Sequence, residues 1–105
     1  MYTRTVECTL KPDKKEEFTN AVHSELLPMV KNQPGFADLL CLMSAERPDH
    51  CFLITFWKSP SDADNFYQHH APMVEVFKPY VKSQHVEHFY VDTSATFKIA
   101  AGKAA

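Results

Sequence analysis

CFLITFWKSPSDADNFYQHHAPM, residues 51–73, combines a strand, a helix start, one amphipathic helix and a histidine pair. Six of its first eight residues are apolar, with β-branched and aromatic types prominent, which predicts a buried strand over 51–58. Ser59 and Pro60 then signal a helix start. A serine hydroxyl can cap free backbone N–H groups, and proline suits the first helical position. Asp62 adds negative charge at the positive end of the helix dipole. Ala63, Phe66, Tyr67 and His70 follow at i, i+3, i+4 and i+7, on one helical face. His70 therefore shares a face with the aromatic rings, and His69 sits about 100° away. Ala71-Pro72 breaks or restarts the helix.

Upstream, residues 2–10 alternate. Tyr2, Arg4, Val6, Cys8 and Leu10 lie on one side, and Thr3, Thr5, Glu7 and Thr9 on the other. That is a strand with one drier face. Lys11-Pro12-Asp13 turns into a helix that carries Phe18, Val22, Leu26, Met29 and Val30 at helical spacing and is kinked by Pro28 near its end. Asn32-Gln33-Pro34-Gly35 ends it. A second strand is predicted over 36–45. Leu40 and Leu42 lie on one face of it, and Leu39, Cys41 and Met43 on the other. Glu46-Arg47-Pro48-Asp49 turns into the strand over 51–58, making an antiparallel hairpin.

Downstream, a further helical piece carries Met73, Val76, Phe77 and Tyr80, and Lys82-Ser83-Gln84 closes it. A last strand is predicted over 85–92. Residues 93–105 form a tail, either flexible or laid over a partner subunit.

The order strand, helix, strand, strand, helix, strand is the ferredoxin-like βαββαβ pattern of the α+β class. It places both helices on one face of a four-stranded antiparallel sheet. Yet the second and third strands are apolar on both faces, and so large a patch rarely stays bare in water. The simplest cover is the same face of a second copy, a homodimer through the sheet faces.

Composition narrows the function classes. The chain has 105 residues, enough for one core, and a net charge of −2 with interspersed signs. Nothing in it suggests a nucleic-acid or membrane partner, and the start, MYTRTVECTL, lacks a signal-peptide core. The cytoplasm is the expected location. The three cysteines, Cys8, Cys41 and Cys51, lie in strand-like runs without metal-ligand spacing and read as buried thiols.

The chain resembles the antibiotic biosynthesis monooxygenase family of dimeric α/β barrels over about residues 2–92. The resemblance rests on Gln33-Pro34-Gly35-Phe36, on Phe56-Trp57-Lys58-Ser59, on the His69-His70-Ala71-Pro72 break, and on the strand order. It implies a domain over 1–92. For members of the oxygenase type it implies a reaction without metal, flavin or haem. A phenol- or quinol-like aromatic is deprotonated in a pocket between sheet and helices, and the electron-rich anion reacts with dioxygen itself. The superfamily also holds isomerase, autoinducer-processing and stress-response members, so a small-molecule-binding protein that is not an oxygenase is the alternative.

Cofactor-free oxygenation needs an apolar pocket, a base that works near neutral pH, and donors for the developing anion. His70 is the expected base, against a plain role finishing the helix. Tyr67 and Tyr90 can donate hydroxyls to the anion, against simple half-burial. Trp57 and Phe66 can stack on an aromatic substrate, against core packing. Arg4, on the drier side of the first strand, needs a partner there, either the substrate anion or Glu87. Asn65 is on the same helix as Tyr67 but off its apolar face.

Three other readings are weaker. His85 and His88 differ by three on a strand and so point to opposite faces, and adjacent His69 and His70 diverge on a helix, which argues against a metal site. Haem degradation within the superfamily uses an asparagine, a tryptophan and a histidine. Here Phe66 and Val76 stand near the tryptophan and histidine positions, and the first strand has no asparagine. RNA recognition by the same element order would place glycines and a leading basic residue in the third strand, and CFLITFWK has neither.

Overall fold

The computed structural model of the chain describes residues 1–69 and 73–96. Four strands, β1 (Tyr2–Leu10), β2 (Phe36–Met43), β3 (His50–Trp57) and β4 (Val81–Tyr90), form one sheet in the order β2-β3-β1-β4. All neighbours are antiparallel. Helical segments α1 (Lys15–Ala21) and α2 (Leu27–Val30) precede β2. Helices α3 (Pro60–His69) and α4 (Met73–Phe77) precede β4. This is the ferredoxin-like α+β fold that the apolar patterning predicts.

The strands alternate as expected. Val6, Cys8 and Leu10 of β1 and Cys51, Leu53 and Trp57 of β3 are buried against the helices. Phe18, Ala21, Val22, Leu26 and Val30 close the core from the first helical stretch, and Ala63 and Phe66 from α3. Opposite parity faces away, though Thr3 and Phe56 on that side are still buried. There Leu40 is 40%, Leu42 50%, Phe52 37% and Phe89 46% exposed.

Three local details differ from, or refine, the sequence reading. A π turn, Val22–Leu26, joins α1 to α2. Pro28 has no N–H and its ring crowds the carbonyl four residues back, and a widened turn accommodates both. The last strand begins at Val81, so Lys82-Ser83-Gln84 is strand and not the end of a helix. Residues 82 and 83 are exposed on an edge strand, which removes the alternation that would have marked them.

The Gln33-Pro34-Gly35-Phe36 turn is the third. Gly35 has φ +79°, and Phe36 N–H donates to the Gln33 carbonyl at 3.1 Å, the arrangement of a type II turn with proline and glycine at its centre. Lys58 N–H donates to the Gly35 carbonyl at 2.8 Å. A side chain at residue 35 would collide with the Asp62 carboxylate, its Cβ falling 2.1 Å from Oδ2. Asp62 is itself held by the α3 cap: its N–H donates to Ser59 Oγ at 3.2 Å, and the Ser59 hydroxyl donates back to Oδ2 at 2.9 Å. The two sequence signatures are thus one structural joint, fixing where α3 leaves the sheet.

Candidate functional site

α3 lies over β1 and β3 with Tyr67 aimed at the sheet. Its hydroxyl is 3.0 Å from Thr55 Oγ1, and Trp57 Nε1–H donates to the same oxygen at 3.0 Å. Thr55 is 3% exposed, so a threonine hydroxyl in the core is fully engaged by two aromatic residues. The Arg4 guanidinium lies 3.9 Å from the centroid of the Tyr67 ring, a cation–π contact. Arg4 faces Thr55 on β3 and His88 on β4 across the ladders. Trp57 is wholly buried, with ring centroids 5.5 Å from Phe36, 5.4 Å from Phe66 and 6.0 Å from Tyr67.

Arg4 and Tyr67 divide two spaces. Beneath them is a cavity of about 30 Å³ with walls largely apolar, among them Val6, Phe18, Leu26, Leu53 and Phe77. Outside them is an open cleft of about 320 Å³, lined by Arg4, Asp64, Tyr67, Gln68, Val86 and His88. The cleft has the size of small-molecule sites and the cavity does not. Tyr2 stacks on His88 at 5.7 Å beside the cleft. Partial burial, then the negative charge of Asp64, pushes the Tyr2 phenol above its ordinary value.

Of the residues expected from sequence, Arg4 and Tyr67 meet at the site. Trp57 and Phe66 line neither space. They pack behind Tyr67, with the Phe66 and Tyr67 centroids 4.9 Å apart. Tyr90 is 75% exposed and edge-on to Tyr2 at 5.3 Å. Asn65 is exposed, and its carbonyl lies 2.7 Å from His69 Nδ1. His70 lies outside the described residues. Glu87, the alternative partner for Arg4, is excluded by register. It pairs with Thr5 on the opposite sheet face, where Oε1 is 3.5 Å from His85 Nε2. Among the described residues Arg4 forms no ion pair with an acid.

Thr55 and His88 are the additions. Thr55 carried a signal, as the one polar residue on the core parity of an apolar strand. His88 shares parity with Arg4, but only the β1–β4 register shows that the two are adjacent. His85 and His88 do face opposite ways, facing Glu7 and Arg4 respectively. Among the described residues no group of three or more His, Cys, Asp or Glu side chains is placed to hold a metal ion, and no helix is long and apolar enough to cross a membrane.

Solved structures share this architecture. SnoaB of Streptomyces nogalater, a cofactor-independent oxygenase solved as its N63A mutant, superposes with TM-score 0.77 at 14% identity, covering 90% of this chain and 95% of its own. A conserved protein from Methanosarcina mazei Go1 gives 0.73 at 20% identity, covering 85% of this chain and 91% of its own. A protein from Shewanella oneidensis gives 0.72 at 20%, covering 84% and 87%. At these identities the likeness is one of fold. No curated protein matches the chain. The model of the antibiotic biosynthesis monooxygenase family matches residues 1–90, nearly the whole domain. The chain therefore belongs to the antibiotic biosynthesis monooxygenase family.

Proposed function

We propose that this protein is a cofactor-independent monooxygenase that oxidises a phenol- or quinol-like aromatic with dioxygen in the cleft between α3 and strands β1 and β4. The observation that carries the reading is Arg4: a half-buried guanidinium laid on the Tyr67 ring at 3.9 Å, on the cleft wall, without an acidic partner among the described residues. A cation so placed suits an anion delivered by a ligand. Val86 and the Tyr67 ring offer apolar surface to the aromatic ring, and Gln68 and Asp64 offer polar contacts at the rim.

In this scheme a histidine takes the phenol proton, either His70, by its place on the aromatic face of the sequence pattern, or His88, which lines the cleft. Arg4 and the Tyr67 hydroxyl hold the resulting oxyanion. The anion donates electrons to dioxygen, and a ring carbon forms a bond to oxygen. Loss of water from that peroxide leaves a carbonyl. One oxygen atom enters the product, the other leaves as water, and the substrate supplies all the electrons. Trp57 and Phe66 act from behind by fixing Tyr67. The protein works as a homodimer in which the exposed Leu40, Leu42 and Phe52 of one protomer cover the same face of its partner.

The test is dioxygen uptake over a panel of quinols, naphthols and anthrones by the wild type and by Arg4→Gln, Tyr67→Phe, His70→Ala and His88→Ala. Uptake above autoxidation is expected, with kcat falling about 10- to 100-fold for Arg4→Gln. Loss in only one histidine variant identifies the base. Absence of uptake on every substrate overturns the reading in favour of a binding or isomerase role, and uptake indifferent to Arg4 moves the site elsewhere.

A further inference from the structure

We infer that the small cavity beneath Arg4 and Tyr67 is a dioxygen site, separate from the cleft that takes the aromatic. The inference rests on the oxygenase reading and divides its two reactants between two spaces. The cavity measures about 30 Å³, too small for a ring but large enough for a diatomic molecule. Its walls include Val6, Phe18, Leu26, Leu53 and Phe77, all buried. Small cavities with largely apolar walls take up apolar gases. The polar side chains in its lining include Arg4, Thr55 and Gln84. The Thr55 hydroxyl is already engaged by Trp57 and Tyr67, and the Arg4 guanidinium is spread on the Tyr67 ring.

Placement gives the cavity its chemical sense. Cavity and cleft share Arg4 and Tyr67 as walls, so a molecule in one lies against the same pair as a molecule in the other. Electron transfer from the aromatic anion builds negative charge on oxygen, and the adjacent guanidinium stabilises it in a largely apolar setting. A small shift of the Tyr67 ring would join the two spaces. The arrangement also selects by size: dioxygen enters the core, and the aromatic stays outside.

Dioxygen is paramagnetic, so the site can be read directly in protein with labelled Val and Leu methyl groups, compared under dioxygen and nitrogen pressure. Methyls of Val6, Leu26 and Leu53 should relax severalfold faster under dioxygen than those of Val22 and Val81, which are as well buried at 6% and 7% exposure but lie off the cavity. Val6→Leu, which fills the space, should abolish the difference while the melting curve shows the fold intact. In turnover, Val6→Leu should raise KM for dioxygen about three- to tenfold and leave KM for the aromatic within about twofold. Uniform relaxation of all buried methyls overturns the proposal. So does an aromatic ligand that abolishes the dioxygen effect by occupying the cavity, or a KM change confined to the aromatic. The relaxation experiment needs no turnover, so failure of the oxygenase reading shows separately, as absent uptake.

Discussion

The same four strands present two unlike faces. On the helix side Val6, Cys8, Leu53 and Trp57 are between 0 and 8% exposed, and the polar residue among them, Thr55, is doubly hydrogen-bonded. On the other side Leu42 and Phe89 are about half exposed, beside threonines and charged groups. One face is finished within the protomer and the other is not. The cleft opens at the margin of the finished face, where Arg4 and Tyr67 line it. The unfinished one is where the proposed dimer would form.

The largest expected difference between the faces is in folding stability. Trp57→Ala removes a fully buried ring and leaves Thr55 without its indole donor, and should cost about 3–5 kcal/mol in urea unfolding. Phe52→Ala, on the open face, should cost under about 1 kcal/mol at protein concentrations too low for association. A loss from Phe52→Ala that grows with concentration would show a partner covering that face, whereas equal costs at all concentrations would erase the contrast.

The next effect is on assembly. Leu42→Glu puts a charge in the exposed apolar patch. Sedimentation should show the dimer Kd raised at least about thirtyfold, with the protomer still folded. A wild type that sediments as a monomer at micromolar concentration would remove the dimer from the proposal.

The smallest effect is the pH response of the covered face. Burial, with Cys51 nearby, raises the Cys41 thiol above its ordinary value. Cys8 and Cys51 face each other across β1 and β3 and share a hydrogen bond that lowers Cys8 and raises Cys51. For Cys41 the folded state holds the proton more tightly than the unfolded chain. Its contribution is therefore complete below the ordinary thiol value, about 8.5, and is lost as pH rises past it toward the folded value. The urea midpoint should fall more steeply above that pH in the wild type than in Cys41→Ala. Equal slopes would mean that Cys41 ionises as freely in the fold as in the unfolded chain.

The two faces also differ in how far the sequence reveals them. Double apolarity of β2 and β3 predicts both the sheet and its bare side, and Ser59 with Pro60 places α3 to the residue. These features rest on local pattern, which survives without coordinates. The edge strand β4 reads less clearly because neither side of Lys82-Ser83-Gln84 is buried enough to impose alternation. The π turn is invisible for a different reason: it answers a clash between Pro28 and the backbone, not a periodicity. Within the site Arg4 and Tyr67 can be chosen by parity and helical face. Parity also shows that Thr55 is buried, but its contact with Tyr67 depends on how α3 crosses the sheet. The nearness of His88 to Arg4 depends on the register between strands far apart in the chain, and the exclusion of Glu87 follows from that same register.

Trp57 is the chain's single tryptophan, and its indole N–H ends on the oxygen that Tyr67 touches at the cleft wall. The molecule thus carries its own optical gauge. Emission from Trp57 reports on one hydrogen bond, and its acceptor, Thr55 Oγ1, also lies 3.0 Å from the hydroxyl of the cleft residue Tyr67. A compound that pulls Tyr67 from Thr55 should therefore shift the Trp57 emission, with no label added.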